Sequence, residues 1–461
     1  MNDIISAGQL IMAMTIGLGV VILLILKTKI HTFLALIIGA ITIGLLSGLG
    51  TNDTIDAVLS GFGGIVGNIG IIIGFGVMMG EIFEISGAAQ KMALVFLKIF
   101  GNKRQEIALA LTGFIVSIPI FCDSGFVLLA PIAKALSQKT CKSIIGFGTA
   151  LAAGLLITHT LVPPTPGPLA VAVAFDVDLG QFILLGLAIS LPVTLLIMIY
   201  VKWLGLQIYQ IPSEDGQGWS RIKKSLETQD SVSNSDEKLP NAFLAFMPIL
   251  TPLFLILCRT VLISLKITDV FIAKTLIFLG TPVVAVGIAL ILAIYTLTKN
   301  LSRQDILSKM EKGISTAGII ILVTGGGGAL GKVLQTSGIG DFCAIWISQM
   351  NIPVFFLPFL IATLLRFAQG SATVAMITAA SITAPIVHAA GGNMLFSAMA
   401  ACIGSFFFSY FNDSYFWVVN RIMGISETKE QIRVWSFTTT IIWALSFVIL
   451  MIFYAVYLWL A

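Results

Sequence analysis

Charge is what this sequence has least of. Asp, Glu, Lys and Arg make up 10% of its 461 residues, against about a quarter in a soluble domain. Such a chain cannot cover a water-facing surface. With 57% hydrophobic residues and a mean hydropathy of +1.02, it is solvated by lipid. The five cysteines have no paired spacing, which excludes a disulfide framework and a CxxC metal site. Three histidines set far apart (His31, His159, His388) and the absence of HExxH leave no metal site, and no cofactor is expected. The net charge of +4 does not imply nucleic acid, because the basic residues lie in short loops between apolar runs.

Those runs are about twenty residues long, as helices need, and not the roughly ten of barrel strands. Ten spans are predicted, at 8–26, 30–50, 65–86, 143–175, 180–203, 241–262, 275–297, 313–335, 394–421 and 434–460. The N-terminus has neither a basic n-region nor a small-residue cleavage site, so it reads as a retained first span. Two further apolar stretches, 105–139 and 352–390, are broken near their middles by "CDSG" and "RFAQGSAT". Both are expected to be re-entrant hairpins. With the N-terminus outside, Arg259, Lys266 and Lys274 fall outside and Lys332 and Arg366 lie in or near the membrane. The other 21 of 26 basic residues fall inside. This satisfies the positive-inside rule and puts both termini in the periplasm of a Gram-negative host. It also makes the polar stretch 211–241 a flexible cytoplasmic linker.

The halves repeat. Aligning 74–87 with 325–338 matches Gly74 with Gly325, Gly76 with Gly327, Gly80 with Gly331, Ser86 with Ser337 and Gly87 with Gly338. Each copy is followed by a broken hairpin and then by an interrupted span. The charge map gives the copies opposite orientations, the inverted design of a secondary transporter with its site near the midplane. The expected fold is therefore an all-α polytopic membrane protein with an inverted repeat, two re-entrant hairpins and two discontinuous helices. A first helix at 1–28 is followed by repeat 1 at 29–204, a linker at 205–240, a linking helix at 241–262 and repeat 2 at 263–461.

Four motifs carry candidate chemistry. "FCDSG" sets Asp123 in the membrane, where a charge costs several kcal/mol, with a helix expected to begin after Ser124. Asp123 either caps that helix or serves function, and a Ser cap would suffice without the charge. "HTLVPPTPGP" removes four backbone donors at Pro163, Pro164, Pro166 and Pro168. His159, just ahead, is a hydrogen-bonded packing residue or a proton carrier. In "RFAQGSAT", Arg366 either clamps a carboxylate or balances an Asp. Ser371 and Thr373 serve helix packing or offer hydroxyls to a polar ligand. "FNDSYFW" breaks the ninth span at Asn412, Asp413 and Ser414. "GGGGALGK" has P-loop spacing but Val333 where Ser or Thr should hold magnesium, so glycine packing explains it better.

These motifs, with "TKIHTFLALIIGA", "SGFGGIVGNIGIIIGFGVMMG" and "NDSYFWVVNRIMGISETKEQIRVWSFTTT", resemble the gluconate permease family of the ion-transporter superfamily almost end to end. The resemblance implies an inner-membrane importer of gluconate or a related hydroxy-carboxylate by proton symport, and no enzyme. It also implies a homodimer with an elevator-type transport domain. Its site residues fall on Asp123, Ser124 and Gly125, on His159, and on Pro164, Thr165 and Gly167. In the second half they fall on Gly370, Ser371 and Thr373, with Asn412 and Asp413. Arg366 joins them as a substrate-binding candidate, and Asp123, His159 and Asp413 as proton-coupling candidates. Relatives often have an aromatic before the Asp and an apolar residue after it, where this chain has Cys122 and Ser124. The family also carries D-serine and small hydroxy acids. Sodium coupling through unwound carbonyls and Asn412 is the alternative.

Overall fold

The computed structural model describes residues 7–101, 104–213, 218–221, 239–299, 301–339 and 353–460, and is helical almost throughout. The first half runs α1 (Ala7–Lys27), α2 (Thr32–Leu46), α3 (Thr51–Ile85), α4 (Ala88–Phe100), α5 (Gln105–Val116), α6 (Cys122–Thr140), α7 (Ile144–Leu161), α8 (Pro166–Ala174) and α9 (Leu179–Gln207). A short hairpin, β1 (Ile211–Pro212) with β2 (Trp219–Ser220), follows. The second half runs α10 (Ala242–Ser264), α11 (Phe271–Leu279), α12 (Pro282–Leu297), α13 (Arg303–Thr336), α14 (Phe356–Gln369), α15 (Ala372–Ala389), α16 (Met394–Gly404), α17 (Ser414–Ile422), α18 (Thr428–Gln431) and α19 (Phe437–Leu460). Between α18 and α19 the chain makes one π-helical turn, Ile432–Ser436.

Among the described residues, seven helices are long and apolar enough to cross a bilayer, or up to nine if two bent pairs each count as one span. The differences from the ten predicted spans have local causes. α3 and α13 begin at Thr51 and Arg303, well before their apolar runs, because polar first turns extend them. Asp53 and Asp305 stand in those turns, and Ser302 accepts from the Asp305 N–H. The run at 275–297 bends by 71° between α11 and α12, where Pro282 opens a new helix after Gly280 and Thr281. α4, absent from the predicted spans, is amphipathic and buries Ala88, Ala89, Met92 and Ala93.

The two long helices cross where neither has a side chain. A Cβ on Gly61 of α3 would stand 2.4 Å from the Gly328 carbonyl of α13, and one on Gly328 would stand 2.5 Å from the Gly61 carbonyl. Small residues let backbones approach this closely, and dispersion then holds a pair that lipid gives no hydrophobic reason to associate. The "GGGG" run is thus a packing face: Gly326 lies against Phe33 and Gly327 against Ser381. Around the crossing the halves exchange neighbours, since α2 packs on α13 and α12 on α3.

Eight further helices form two helix–break–helix pairs in each half: α5 with α6, α7 with α8, α14 with α15 and α16 with α17. α5 packs on α7 and α14 on α16, while α6 meets α17 and α8 meets α15. α7 is buried along its whole length and is apolar on every side, as an enclosed helix must be. The outer ends of the α5–α6 unit lie at a basic end of the bundle, where Lys142 is 3.9 Å from Glu106. Lys312 and Lys309 reach Glu81 and Glu84 (3.7 and 3.9 Å) from α13 to α3. The outer ends of the α14–α15 unit meet at Val354 and Gly392, with Phe355 and Phe396 packed on Tyr454 near the far end of α19.

The boundary expected at 204/205 falls inside α9, which continues to Gln207. The first residues of the expected linker are also docked. Trp219 lies on Gly424 with the Lys134 ammonium 5.2 Å from its ring, and Gln138 donates to the Ser213 carbonyl. Arg221 grips Glu430 through two bonds of 2.8 and 2.6 Å, which holds the guanidinium above its ordinary pKa. Residues 222–238 of the linker lie outside the described residues.

The Gly61 crossing makes a direct test. Gly61→Leu should lower stability in detergent by about 1–3 kcal/mol through overpacking. Gly63→Ala, with nothing within 4 Å of its added Cβ, should be neutral or slightly stabilising. Thermal denaturation of the two purified variants checks both.

Candidate functional site

Four helices begin at the four chain breaks. Phe121 is the N-cap of α6, Thr165 of α8, Ser371 of α15 and Asp413 of α17. Each start leaves N–H groups without helical partners and carries the positive end of a helix dipole. Proline explains the start of α8, with Pro166 at its first position. The backbone of Gly370, at φ +85°, ends α14 in the left-handed region that glycine occupies freely. At the starts of α15 and α17, short polar side chains take up freed groups. Ser371 accepts from Val374 N–H (3.3 Å) and Asp413 from Tyr415 N–H (3.2 Å).

These starts converge. Ser414 at the head of α17 donates to Asp123 at the head of α6 (3.5 Å). Gly167 in α8 faces α15, where its added Cβ would stand 2.8 Å from Met376 Sδ and 3.5 Å from Thr373 Cγ2. Phe121 and His159 face each other at 5.4 Å and line a cavity of about 10 Å³ with Pro119, Pro164, Thr165 and Pro166. That is room for about one water. The fourth link runs from α14 to the last break: Tyr410 Oη and Asn412 Nδ2 both donate to the Phe367 carbonyl (2.8 and 3.1 Å). A Cβ on Gly370 would stand 2.2 Å from the Asn412 carbonyl, so only glycine fits there.

The charges are unevenly matched. Arg366, 2% exposed, donates from Nη2 to Asp413 Oδ2 at 2.6 Å, and Ser409 donates to the same oxygen. Arg366 thus balances an Asp, one of the two roles open to it, while its buried Nε and Nη1 have no partner among the described residues. Among the described residues Asp123 has no cation: Ser414 and the Cys122 thiol (3.9 Å) are its side-chain partners. His159 is 5% exposed, and its Nδ1 has no hydrogen-bond partner among the described residues.

The placement of the sequence candidates follows. Asp123, Ser124 and Gly125 lie in the first turn of α6, which begins at Cys122 and not after Ser124. Gly125 packs against Leu155, and a Cβ there would stand 2.8 Å from it. Pro164, Thr165 and Gly167 are buried, and Thr165 returns its hydroxyl to the Val162 carbonyl. Asn412 is exposed. Ser409 and Tyr410 escaped the sequence reading. They stand in the same "SYFNDSYFW" run, but no spacing rule singles out which of its hydroxyls turn toward Asp413 or Phe367.

Paired breaks, helix starts aimed at one another and buried, partly matched charges define a polytopic membrane protein of transporter architecture. Comparison with known proteins agrees. The family profile described as GntP family permease matches residues 9–456. An uncharacterized permease of Haemophilus influenzae is 44% identical over 444 residues, covering 94% of this chain and 90% of that one. The high-affinity gluconate transporter of Escherichia coli is 30% identical over 435 residues, covering 93% and 95%. Among solved structures, the Neisseria gonorrhoeae efflux pump MtrF superposes with a TM-score of 0.64 at 13% identity, covering 93% and 96%, a likeness of fold. This chain belongs to the GntP permease family. It is a transport protein and not an enzyme.

The Arg366–Asp413 pair gives a prediction. Asp413→Leu should cost about 3–5 kcal/mol, because it strands a buried guanidinium. The double variant Arg366→Met/Asp413→Leu should recover most of that loss without recovering transport. Thermal unfolding and uptake, measured on the same preparations, separate the two effects.

Proposed function

We propose that this protein is a secondary transporter that imports a small hydroxy-carboxylate, gluconate or a close relative, by proton symport across the bacterial inner membrane. The observation that carries this reading is the convergence of four helix starts on one region. Helix N-termini are anion sites, and four of them offer a carboxylate more free N–H groups than a structural role needs. Among the described residues Nε and Nη1 of Arg366 have no partner, and they add two charged N–H donors for the same group. Ser124, Ser371, Thr373 and Asn412, with the 164–167 loop, supply hydroxyl and carbonyl partners for the substrate's own hydroxyls. The name of the Escherichia coli relative, a high-affinity gluconate transporter, supports gluconate as a candidate cargo.

Asp123 is the first candidate to carry the proton. Asp413 has Arg366 to balance it, whereas Asp123 has hydroxyl and thiol neighbours. A carboxylate without a cation is costly to move through an apolar interface, and a proton removes that cost. His159, beside the small cavity, is the second candidate. The hairpin reading belongs to the same proposal. The outer ends of α5–α6 lie at the basic end and those of α14–α15 beside Tyr454, which supports an inverted repeat with re-entrant hairpins. The basic end is then cytoplasmic, with both termini periplasmic. Elevator movement of the body holding the four starts, in a homodimer, completes the reading.

Uptake into proteoliposomes tests it. A panel of gluconate, glycerate, 3-hydroxybutyrate, lactate and D-serine, run under an imposed proton gradient with and without sodium, should show concentrative uptake of one hydroxy acid with protons alone. Uptake that requires sodium would transfer the coupling to the unwound carbonyls and Asn412. Asp123→Asn should abolish gradient-driven accumulation while leaving the folded yield unchanged. Undiminished pH-dependent accumulation by that variant would remove Asp123 from the coupling.

A further inference from the structure

A groove on the outside of the bundle, whose lining shares no residue with the four helix starts, has the chemistry of a lipid site. It runs between α9 and α19, holds about 430 Å³ and is lined by Leu196, Ile199, Tyr200, Trp203, Ile441 and Leu445. That is the volume of an ordinary ligand cleft. The lining is apolar apart from one phenol, and that Tyr200 hydroxyl is already spent on the Arg433 carbonyl at 2.7 Å. Ile199 is 72% exposed and Trp203 44%, so the groove opens outward.

One end is different. The Arg433 guanidinium stands 4.8 Å from the centre of the Trp203 ring, and Tyr200 packs beside that ring at 5.6 Å. Among the described residues no carboxylate pairs with Arg433. Of the acids on the neighbouring turn, Glu430 is taken by Arg221 and Glu427 is exposed. Lys202, next to Trp203, is exposed as well. This is the basic end of the bundle, because the chain leaving α9 is bound to the start of α7 through Ser143 and the Ile208 carbonyl (2.7 Å). An aromatic pair with a cation above it, at the mouth of an apolar groove, is built for an amphiphile with a negative head.

We propose that this groove binds one anionic phospholipid, its acyl chain along Leu196, Ile199, Ile441 and Leu445 and its phosphate at Arg433 and Lys202. A second copy of the chain fits less well, since it would have to bring an acid to one end of an otherwise apolar contact. The occupant sits on the outer face of α9 and α19. These two helices pack on each other and back α7 and α16, the first segments of the two interrupted spans.

Native mass spectrometry of the full-length protein, released from detergent with phosphatidylglycerol or phosphatidylcholine added, tests the assignment. Wild type should retain phosphatidylglycerol preferentially. Arg433→Gln should lower that retention about fivefold, the effect of one interfacial cation on an anionic lipid, and leave phosphatidylcholine unchanged. Arg433→Lys should keep most of it. Ile199→Trp, at an exposed position that tolerates bulk, should reduce retention of both lipids by filling the groove. Equal retention of the two lipids by wild type, or retention unchanged in both Arg433→Gln and Ile199→Trp, would overturn the proposal. So would efficient disulfide formation between Ile199→Cys copies in the membrane, which would give the groove to a second chain.

Discussion

A backbone N–H without a partner is costly in hydrocarbon, and four helix breaks of this chain meet one another inside the bundle. Everything near the centre follows from that constraint. Each break must be enclosed by protein, and the breaks enclose one another: α6 against α17, α8 against α15, Asn412 and Tyr410 against the end of α14. Caps satisfy some of the freed groups. In the function proposed above, a ligand rich in oxygen is the partner of the rest.

Buried charge obeys the same logic on a smaller scale. Arg366 and Asp413 come from different breaks and meet at 2.6 Å, so the pair fastens the end of α14 to the head of α17. A buried pair of this kind adds little net stability, because desolvation cancels most of the attraction. Its effect is geometric: the break can hold its shape only while both partners are present. Asp123 has no such partner among the described residues, and this asymmetry between two otherwise similar carboxylates is what the proposed coupling role of Asp123 rests on.

Much of this was legible in the sequence because the signals were local. Prolines at 163, 164, 166 and 168 announce a break wherever they stand, and an Asp between two apolar runs does the same. The glycines of α13 were readable as a packing face because Val333 denied them a phosphate role. What stayed hidden depended on partners distant in sequence. Nothing in "RFAQG" says that Arg366 will find Asp413 and not a substrate, and nothing in the polar linker says that Trp219 will dock on Gly424. The early starts of α3 and α13 were hidden for another reason. Hydropathy reports what lipid touches, while helices extend beyond it wherever a cap and an acidic first turn allow.

The exchange of neighbours at the Gly61–Gly328 crossing also bears on how the chain is made. The face of α3 that Gly61 opens is covered by a residue 328 − 61 = 267 positions later. At a synthesis rate of about 5–20 residues per second, the first half waits on the order of 10–50 s in the membrane before its partner emerges. During that interval its inward-facing breaks have only lipid or each other for company. Biogenesis therefore needs either a holding factor at the insertion site or a provisional packing of the first half that the second must displace.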